Sequence, residues 1–112
     1  MKAIVYNNLT LVHKRQPIQF RIGIGVEGNL INGRIKNINL NKLRADLETF
    51  NFKLRDKEII FLFPKYRGME NIALYYLNNF EIIDFVEIVE NNTEKVIISK
   101  KDLKKQIMDD KL

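Results

Sequence analysis

Strict alternation between apolar and other residues in IQFRIGIGV (Ile18–Val26) constrains this chain more than any other feature. Every second residue is Ile, Phe or Val, while Gln19, Arg21, Gly23 and Gly25 fall between them. A repeat of two is typical of a β-strand that buries one face. The sequence therefore predicts a half-buried strand here, with two glycines on its outward face.

The same stretch begins a G-x-G-x-x-G pattern formed by Gly23, Gly25 and Gly28. A dinucleotide site needs such glycines at a turn that opens a helix, because there the backbone N–H groups and the helix dipole meet the pyrophosphate. Here two of the glycines lie inside a strand, and turn signals follow. A protein-kinase glycine loop does lie between strands, but the chain is too short for that fold and lacks its catalytic loop. We therefore expect no nucleotide cofactor, and glycines that let the strand bend or let another backbone approach.

Further strands are predicted where short apolar or alternating runs occur. These runs cover residues 2–6, 9–12, 34–38, 58–63, 80–90 and 95–99. Asn-Asn pairs at 7–8 and 91–92 predict two hairpin turns, and Gly-Asn at 28–29 and Asn-Gly at 32–33 are further turn signals. EIIFLF, residues 58–63, is a continuous apolar run that Pro64 ends. It predicts a central strand buried on both faces, with Ile60 and Leu62 in the core.

Three helices are predicted from apolar residues spaced three and four positions apart. The first begins at Leu40 after Asn39 as N-cap, and Asn51 can end it. The second covers residues 69–80, and the third runs roughly over 100–111, where Ser99 and Asp102 form a capping pair. Together the elements predict a single domain over residues 1–112. We expect the α+β class, as a mixed, largely antiparallel sheet or a pseudobarrel with two or three short helices.

The composition of the 112-residue chain narrows the chemistry that it can perform. Cysteine is absent, which excludes disulfides and thiolate metal sites. The single histidine, His13, has no second His or Cys as an obvious partner, so no metal site is expected. The only serine, Ser99, is explained as a helix cap, and no nucleophile motif is present. We therefore expect a non-enzymatic protein without cofactors.

The sequence also predicts where the protein acts. No apolar run approaches the ~18 residues of a membrane span. The opening MKAIVYNNLT is too short and too quickly polar for a signal peptide. We expect a cytoplasmic protein with no membrane partner.

A net charge of +5 favours a polyanionic partner, and three basic clusters stand out. They are HKRQ at 13–16, KYRG at 65–68 and the lysines at 100, 101, 104 and 105, the last being typical of a solvated C-terminal helix. Only KYRG combines cations for phosphates, a tyrosine for base stacking and a glycine that permits close approach. It also precedes a predicted helix, whose N-terminal N–H groups favour anions. The candidate nucleic-acid-binding residues, including two arginines of the glycine-bearing sheet, are Lys65, Tyr66, Arg67, Lys14, Arg15, Arg21 and Arg34.

Two alternatives stay open. In one, Tyr66 packs back on the core and its loop is merely solvated. In the other, the chain is a protein-interaction module, an inhibitor or adaptor, with no nucleic-acid role. Convergence of the cations of residues 14, 21, 65 and 67 on one concave face would favour nucleic acid. An exposed apolar patch or an unpaired edge strand would favour a protein partner. The oligomeric state is left open.

In element order the chain resembles the PUA-like pseudobarrels, a family of RNA-binding domains of similar length. The likeness rests on the strand IQFRIGIGV, the helix NKLRADLETF and the loop FPKYRG, and it covers most of the chain as topology without a specific motif. The resemblance implies RNA as the ligand and a regulatory role. Small PUA-like regulators occur on mobile elements of Gram-positive bacteria, and the many Ile, Asn and Lys residues suit such a plasmid or phage source.

Overall fold

A long β-hairpin determines where the other elements lie. The computed structural model describes residues 1–31, 34–35 and 38–103. Within these residues the strands are β1 (Lys2–His13), β2 (Gln16–Glu27), β3 (Leu30–Ile31), β4 (Arg34–Ile35), β5 (Phe85–Glu90) and β6 (Glu94–Ser99). The helices are α1 (Leu40–Leu54), α2 (Ile59–Leu62) and α3 (Met69–Asn79), and residues 100–103 are also helical. The predicted α+β class is confirmed.

The main sheet has the strand order β1-β2-β5-β6, and each neighbouring pair is antiparallel. The short strands β3 and β4 pair with each other. Helices α1 and α3 contact one face of the main sheet, and the core lies between this helical layer and the sheet. The fully buried side chains at its centre come from both layers: Leu11, Ile22, Ile24, Leu47, Ile72, Tyr76 and Ile88. A largely antiparallel sheet is therefore confirmed.

The predicted turn at Asn7-Asn8 is wrong, because β1 continues unbroken through both residues. Asn7 lies opposite Ile22 and Asn8 lies opposite Arg21 in a ladder of twelve pairs. The turn occurs instead at Lys14 and Arg15, whose φ angles are 51° and 68°. Positive φ at both central residues matches the twist of a two-residue hairpin turn. Because β1 is uninterrupted, it pairs with the full length of β2. Two shorter strands separated by a turn could not form this ladder.

The alternating strand is confirmed as β2, and its glycines are covered by side chains of the neighbouring strands. Tyr6 lies opposite Gly23, and Phe85 lies opposite Gly25. A Cβ on Gly23 would lie 2.7 Å from both Ile4 Cδ1 and Tyr6 Cε1, and one on Gly25 would overlap the Phe85 ring. The close approach that these glycines permit is therefore by side chains and not by another backbone.

The predicted central strand at residues 58–63 is also wrong. Residues 59–62 form the single-turn helix α2, and Glu58 makes only one parallel bridge, to Val12. Ile59 is buried, whereas Ile60 is exposed and Leu62 is half-buried, so the predicted core positions are wrong for Ile60. The central position of the sheet is occupied by β2, and a short apolar run fits a helical turn as well as a strand.

Helix α1 begins as predicted but ends later. The Asn39 side chain accepts hydrogen bonds from the backbone N–H groups of Asn41 and Lys42, as an N-cap does. Asn51 does not end the helix, which continues to Leu54. Asn51 is buried instead, because its amide has hydrogen-bonding partners inside the core.

The C-terminal half follows the predicted order. α3 confirms the second predicted helix, while β5 begins at Phe85, later than predicted. Asn91 and Asn92 form the expected turn with φ angles of 48° and 61°. Ser99 and Asp102 exchange the predicted capping hydrogen bonds, at 3.0 and 3.2 Å. The turn predicted at 32–33 and the rest of the last predicted helix, 104–111, lie outside the described residues. Of the helices in the described part of the chain, none combines the length and the apolar content needed to cross a membrane.

Candidate nucleic-acid interface

The end of the β1–β2 hairpin extends beyond the rest of the sheet. β5 pairs with β2 from Gly25 to Phe20, and its last residue in this ladder is Glu90. The remaining four hairpin pairs lead from Thr10 and Gln19 to the turn. We call residues 13–16 the hairpin tip. Its lysine and arginine are both exposed.

A second basic segment, residues 64–68, connects α2 to α3, and we call it the basic loop. Two backbone hydrogen bonds fix its course: the Tyr66 N–H donates to the Phe63 carbonyl at 2.9 Å, and the Arg67 N–H donates to Asn71 Oδ1 at 2.7 Å. Gly68 then serves as the N-cap of α3. The loop is therefore held at both ends, and Lys65 and Arg67 are exposed.

An aromatic contact brings the hairpin tip and the basic loop together. The rings of His13 and Tyr66 meet edge to face, with centroids 5.7 Å apart. Tyr66 also lies beside Phe63, at 6.3 Å between centroids, and packs against the core. The hairpin tip and the basic loop, far apart in the sequence, are thus in contact through one residue of each.

The four cations of these two segments are available to a ligand. Lys14, Arg15, Lys65 and Arg67 are all exposed. None of them forms an ion pair with another described residue, since the ion pairs found there involve other cations. Their charge is therefore not neutralised within the described structure.

Tyr66 is held differently from a base-stacking residue. Its side chain is half-buried against the core, which supports the alternative in which Tyr66 packs back. Burial raises the pKa of its hydroxyl, and the Glu90 and Glu70 carboxylates raise that pKa further. The hydroxyl is therefore neutral at physiological pH. Tyr66 connects the two basic segments, and its ring is not freely presented to a nucleobase.

The N-terminus of α3 already has a negative group beside it. Glu70 lies in the first turn of the helix. Its Oε2 atom is so close to Gly68 that a Cβ at that position would be 2.6 Å away. A carboxylate in the first turn satisfies the helix dipole, so the expected preference of this helix end for an external anion is reduced. The absence of a side chain at Gly68 thus leaves room for the Glu70 carboxylate.

Arg21 is not brought together with the other predicted site residues. It lies on the face of the sheet opposite to His13, because Arg21 pairs with Asn8 and side chains alternate along a strand. Its guanidinium is 3.8 Å from Glu87 Oε1 and 4.6 Å from the centre of the Tyr6 ring. The Tyr6 hydroxyl donates to Glu87 Oε2 at 3.2 Å. Arg21 therefore has a structural role in the described chain.

Arg34, the last of the predicted site residues, lies in β4, opposite Ile31. Its side chain is outside what the structure describes.

Lys57 is a cation near the hairpin tip that the sequence did not single out. The Val12 N–H donates to the Lys57 carbonyl at 2.9 Å, and the lysine side chain is exposed. Its place beside β1 follows from the parallel bridge between Val12 and Glu58. No local pattern in RDKE predicts this bridge, so the contact is visible only in the fold.

Comparison with known proteins identifies no family. No protein-family model matches this chain, and no curated protein is significantly similar to it. Within the described residues, no three His, Cys, Asp or Glu side chains are grouped as a metal site requires.

Proposed function

We propose that this protein is a small, non-enzymatic regulatory protein of the cytoplasm that binds nucleic acid, with RNA as the favoured ligand. The observation that carries the proposal is the meeting of two exposed basic segments through the His13–Tyr66 contact. Their four cations have no ion-pair partner among the described residues. Exposed lysines and arginines grouped in this way bind phosphates and release the counterions of the nucleic acid.

The backbone of the hairpin tip supports this function. Lys14 and Arg15 occupy left-handed conformations with φ of 51° and 68°. Asn and Gly are strongly preferred at these turn positions, because longer side chains are strained there. Strained residues that carry charge are typical of functional sites, where stability is given up locally. Two cations at a strained, exposed turn therefore favour a role in binding.

The exposure of each side chain indicates its role in binding. Lys14, Arg15, Lys65 and Arg67 contact phosphates, while His13 and Tyr66 hold the two segments in register. Phosphate contacts position a ligand without reading its sequence. The resemblance to PUA-like domains supports RNA over DNA as the ligand. Selection by shape is expected, as for RNA-binding modules that contact chiefly the backbone.

Two charge-reversal variants test the proposal. Wild-type protein is titrated against a structured RNA pool and against single- and double-stranded DNA, from low to moderate salt. K14E/R15E and K65E/R67E should each weaken RNA binding. Each pair should flatten the plot of log affinity against log salt by about 1.4–1.8, because one lost phosphate contact accounts for about 0.7–0.9.

K42E/R44E is the matched control, since it reverses the same charge near the N-terminus of α1. The other end of α1 leads to the hairpin, where the Asp56 N–H donates to the Thr10 carbonyl at 2.8 Å. This control should therefore retain affinity apart from the small effect of net charge. No RNA or DNA binding by the wild type at low salt would reject the proposal. Equal losses in all three variants would remove the basic segments from the site.

A protein-interaction role is the second candidate, and a different observation favours it. α2 presents two large apolar side chains, Ile60 and Phe61, to solvent. Exposed apolar groups of this size are typical of protein-binding surfaces. They lie beside the basic loop without forming part of it.

A further inference from the structure

The main sheet has an open edge along the first half of β1. Met1 and Gly28 exchange backbone hydrogen bonds at 3.0 and 3.1 Å, so every second residue from Met1 onward points its backbone groups at β2. The residues between them point their N–H and C=O groups out of the sheet. At Thr10 and Val12 these groups bond with residues 56–57. In the part of the chain that the structure describes, they have no backbone partner at Lys2, Ile4, Tyr6 and Asn8. We call residues 2–8 the open edge.

The open edge is complementary to itself. Its central residue is Val5, so a two-fold axis at Val5 places Lys2 opposite Asn8 of a second copy, and Ile4 opposite Tyr6. Each of these antiparallel pairs exchanges two backbone hydrogen bonds, which satisfies every outward-pointing group of the open edge. Lys2 is its only charged residue, and it meets an amide and no like charge.

Helix α1 presents exposed side chains beyond the open edge. α1 contacts β1, whereas α3 contacts β5 and β6. The side of α1 toward α3 carries Lys42, Asp46 and Lys53, which line a cavity together with the last residue of α3. A different side of α1, away from α3, carries a row of exposed residues spaced four apart: Leu40, Arg44, Glu48 and Phe52.

The height of this row along β1 follows from two hydrogen bonds. The Asn51 amide donates to Asn7 Oδ1, and the Asp56 N–H donates to the Thr10 carbonyl, so α1 runs in the direction of β1. Two strand residues span about 7 Å, which is the rise of about four to five helix residues. Val5 therefore lies level with about residue 46 or 47 of α1.

The charges at this height also complement a second copy. A two-fold axis perpendicular to the sheet keeps both helical layers on one side and sets the two α1 helices antiparallel. Arg44 then lies level with Glu48 of the second copy, and Leu40 lies level with Phe52. Arg44 and Glu48 form no ion pair with a described residue, although they are four residues apart on one helix. Both charges are thus available to a partner of this kind.

We propose that the protein forms a two-fold dimer in which the open edges of two copies pair antiparallel about Val5. The two four-stranded sheets become one continuous sheet, and reciprocal pairs of Arg44 with Glu48 join the two α1 helices. Such isologous pairing closes on itself. β6, the other edge of the sheet, offers fewer free groups, because the Ser99 N–H already donates to Asp102. The inference goes beyond nucleic-acid binding, since the hairpin tips lie outside the paired residues at opposite ends of the dimer.

Proline substitutions test which edge pairs. I4P removes an N–H that points away from β2, so it spares the β1–β2 ladder and should raise the dimer dissociation constant by about tenfold or more in sedimentation equilibrium. I97P is the matched control on β6. The Lys100 N–H donates to the Asp84 carbonyl, so by alternation the Ile97 N–H also points out of the sheet. I97P should leave the dimer unchanged.

A charge exchange tests the register. R44E and E48R each place like charges together at two symmetric positions, so each should weaken the dimer by about threefold or more. R44E/E48R restores opposite charges and should restore the dimer. K42E, on the side of α1 toward α3, is the matched control and should have no effect. A double variant as weak as the single variants would overturn the pairing about Val5.

Amide hydrogen exchange of the wild type tests the same pairing without a substitution. The N–H groups of Ile4, Tyr6 and Asn8 should exchange more slowly as protein concentration rises, whereas that of Ile97 should not change. A monomer at all concentrations, or a dimer that I97P disrupts and I4P does not, would overturn the proposal. Open-ended growth would mean that β1 pairs with β6 of the next copy.

The dimer and nucleic-acid binding can fail separately. K14E/R15E should weaken RNA binding and leave the dimer intact, while I4P should leave the RNA affinity of each protomer unchanged. Circular dichroism melts check that every variant is folded.

Discussion

Asn51 connects three elements from inside the core. Its amide donates to Asn7 Oδ1 at 2.9 Å, and its carbonyl oxygen accepts from the Tyr76 hydroxyl. β1, α1 and α3 are thereby joined by one set of buried polar groups. No buried side-chain nitrogen or oxygen among the described residues lacks a hydrogen-bonding partner. Such a network fixes the relative position of helix and sheet, because breaking it leaves buried groups unpaired.

Tyr76 predicts how stability responds to alkaline pH. Burial raises the pKa of its hydroxyl far above the ordinary value near 10, with a smaller contribution from Tyr75. In the unfolded chain Tyr76 ionises near pH 10, whereas in the folded chain it stays neutral. The contribution of Tyr76 to stability is therefore complete below pH 10 and is lost progressively as the pH rises above that value. Urea denaturation of wild type and Y76F between pH 8 and pH 11.5 measures this. The wild type should lose stability more steeply above pH 10, and parallel curves would contradict the burial of the hydroxyl.

Gly25 makes a second prediction at this scale. A methyl group there would overlap the Phe85 ring, so G25A should lower the free energy of unfolding by about 1–3 kcal/mol. In a Phe85→Ala background the overlap disappears. Alanine is then about 0.5–1 kcal/mol better than glycine in a strand interior, and the same change should become neutral or stabilising. Chemical denaturation of the four proteins in this cycle gives the coupling. A cost that is equal in both backgrounds would mean that the ring does not cover Gly25.

Strands and helices whose sequence signal lies within the element itself were predicted correctly. The alternation of β2, the helical spacing of α3 and the cap at Asn39 each depend on residues within one element, so their signals are complete in the sequence. The two Asn-Asn pairs show where this fails. Asn91 and Asn92 adopt a turn, while Asn7 and Asn8 lie within β1. The two pairs differ in what they contact. Asn7 and Asn8 lie in a strand that pairs with all twelve residues of β2, and the Asn7 side chain accepts a hydrogen bond from Asn51 of α1.

The apolar run EIIFLF was misassigned for a related reason, and this gives a prediction at the scale of the element. A strand buried on both faces would bury the side chains of Ile59 and Ile60 equally, and truncating either would then cost similar stability. In the single-turn helix α2 only Ile59 is buried, so I59A should cost about 2–5 kcal/mol and I60A should stay within about 0.5 kcal/mol of wild type. Denaturant midpoints of the two variants, with matching slopes, make the comparison. Similar large losses in both would restore the strand interpretation.

At the scale of the whole molecule, the candidate interface was only partly predictable. Lys14, Arg15, Lys65 and Arg67 were recognised as basic clusters, but their proximity depends on the ring contact of His13 with Tyr66, which no local pattern contains. Arg21 belonged to the same prediction but lies on the opposite face, because its register in β2 places it opposite Asn8, and there it pairs with Glu87 of the adjacent strand β5. Charge can be counted from sequence, whereas the face on which it appears is decided by strand register.

The fold arranges two kinds of surface around one short segment. The basic loop meets the hairpin tip through the contact of Tyr66 with His13, and α2, immediately before the loop, exposes Ile60 and Phe61.

Substitutions at the hairpin turn should change the stability of the protein and its RNA affinity in opposite directions. Lys14 and Arg15 adopt positive φ, where Asn-Gly is favoured, so K14N/R15G should raise the free energy of unfolding by about 1 kcal/mol. The same variant removes two phosphate contacts, so RNA affinity should fall and the salt plot should flatten by about 1.4–1.8. K14Q/R15Q is the matched control: it removes the charges without relieving the backbone, and it should lose the same affinity with unchanged stability. Thermal melts and RNA titrations of the three proteins measure both quantities. A more stable variant with undiminished RNA affinity would show that the strained turn does not serve binding, whereas opposite changes in the two quantities are what a functional turn requires.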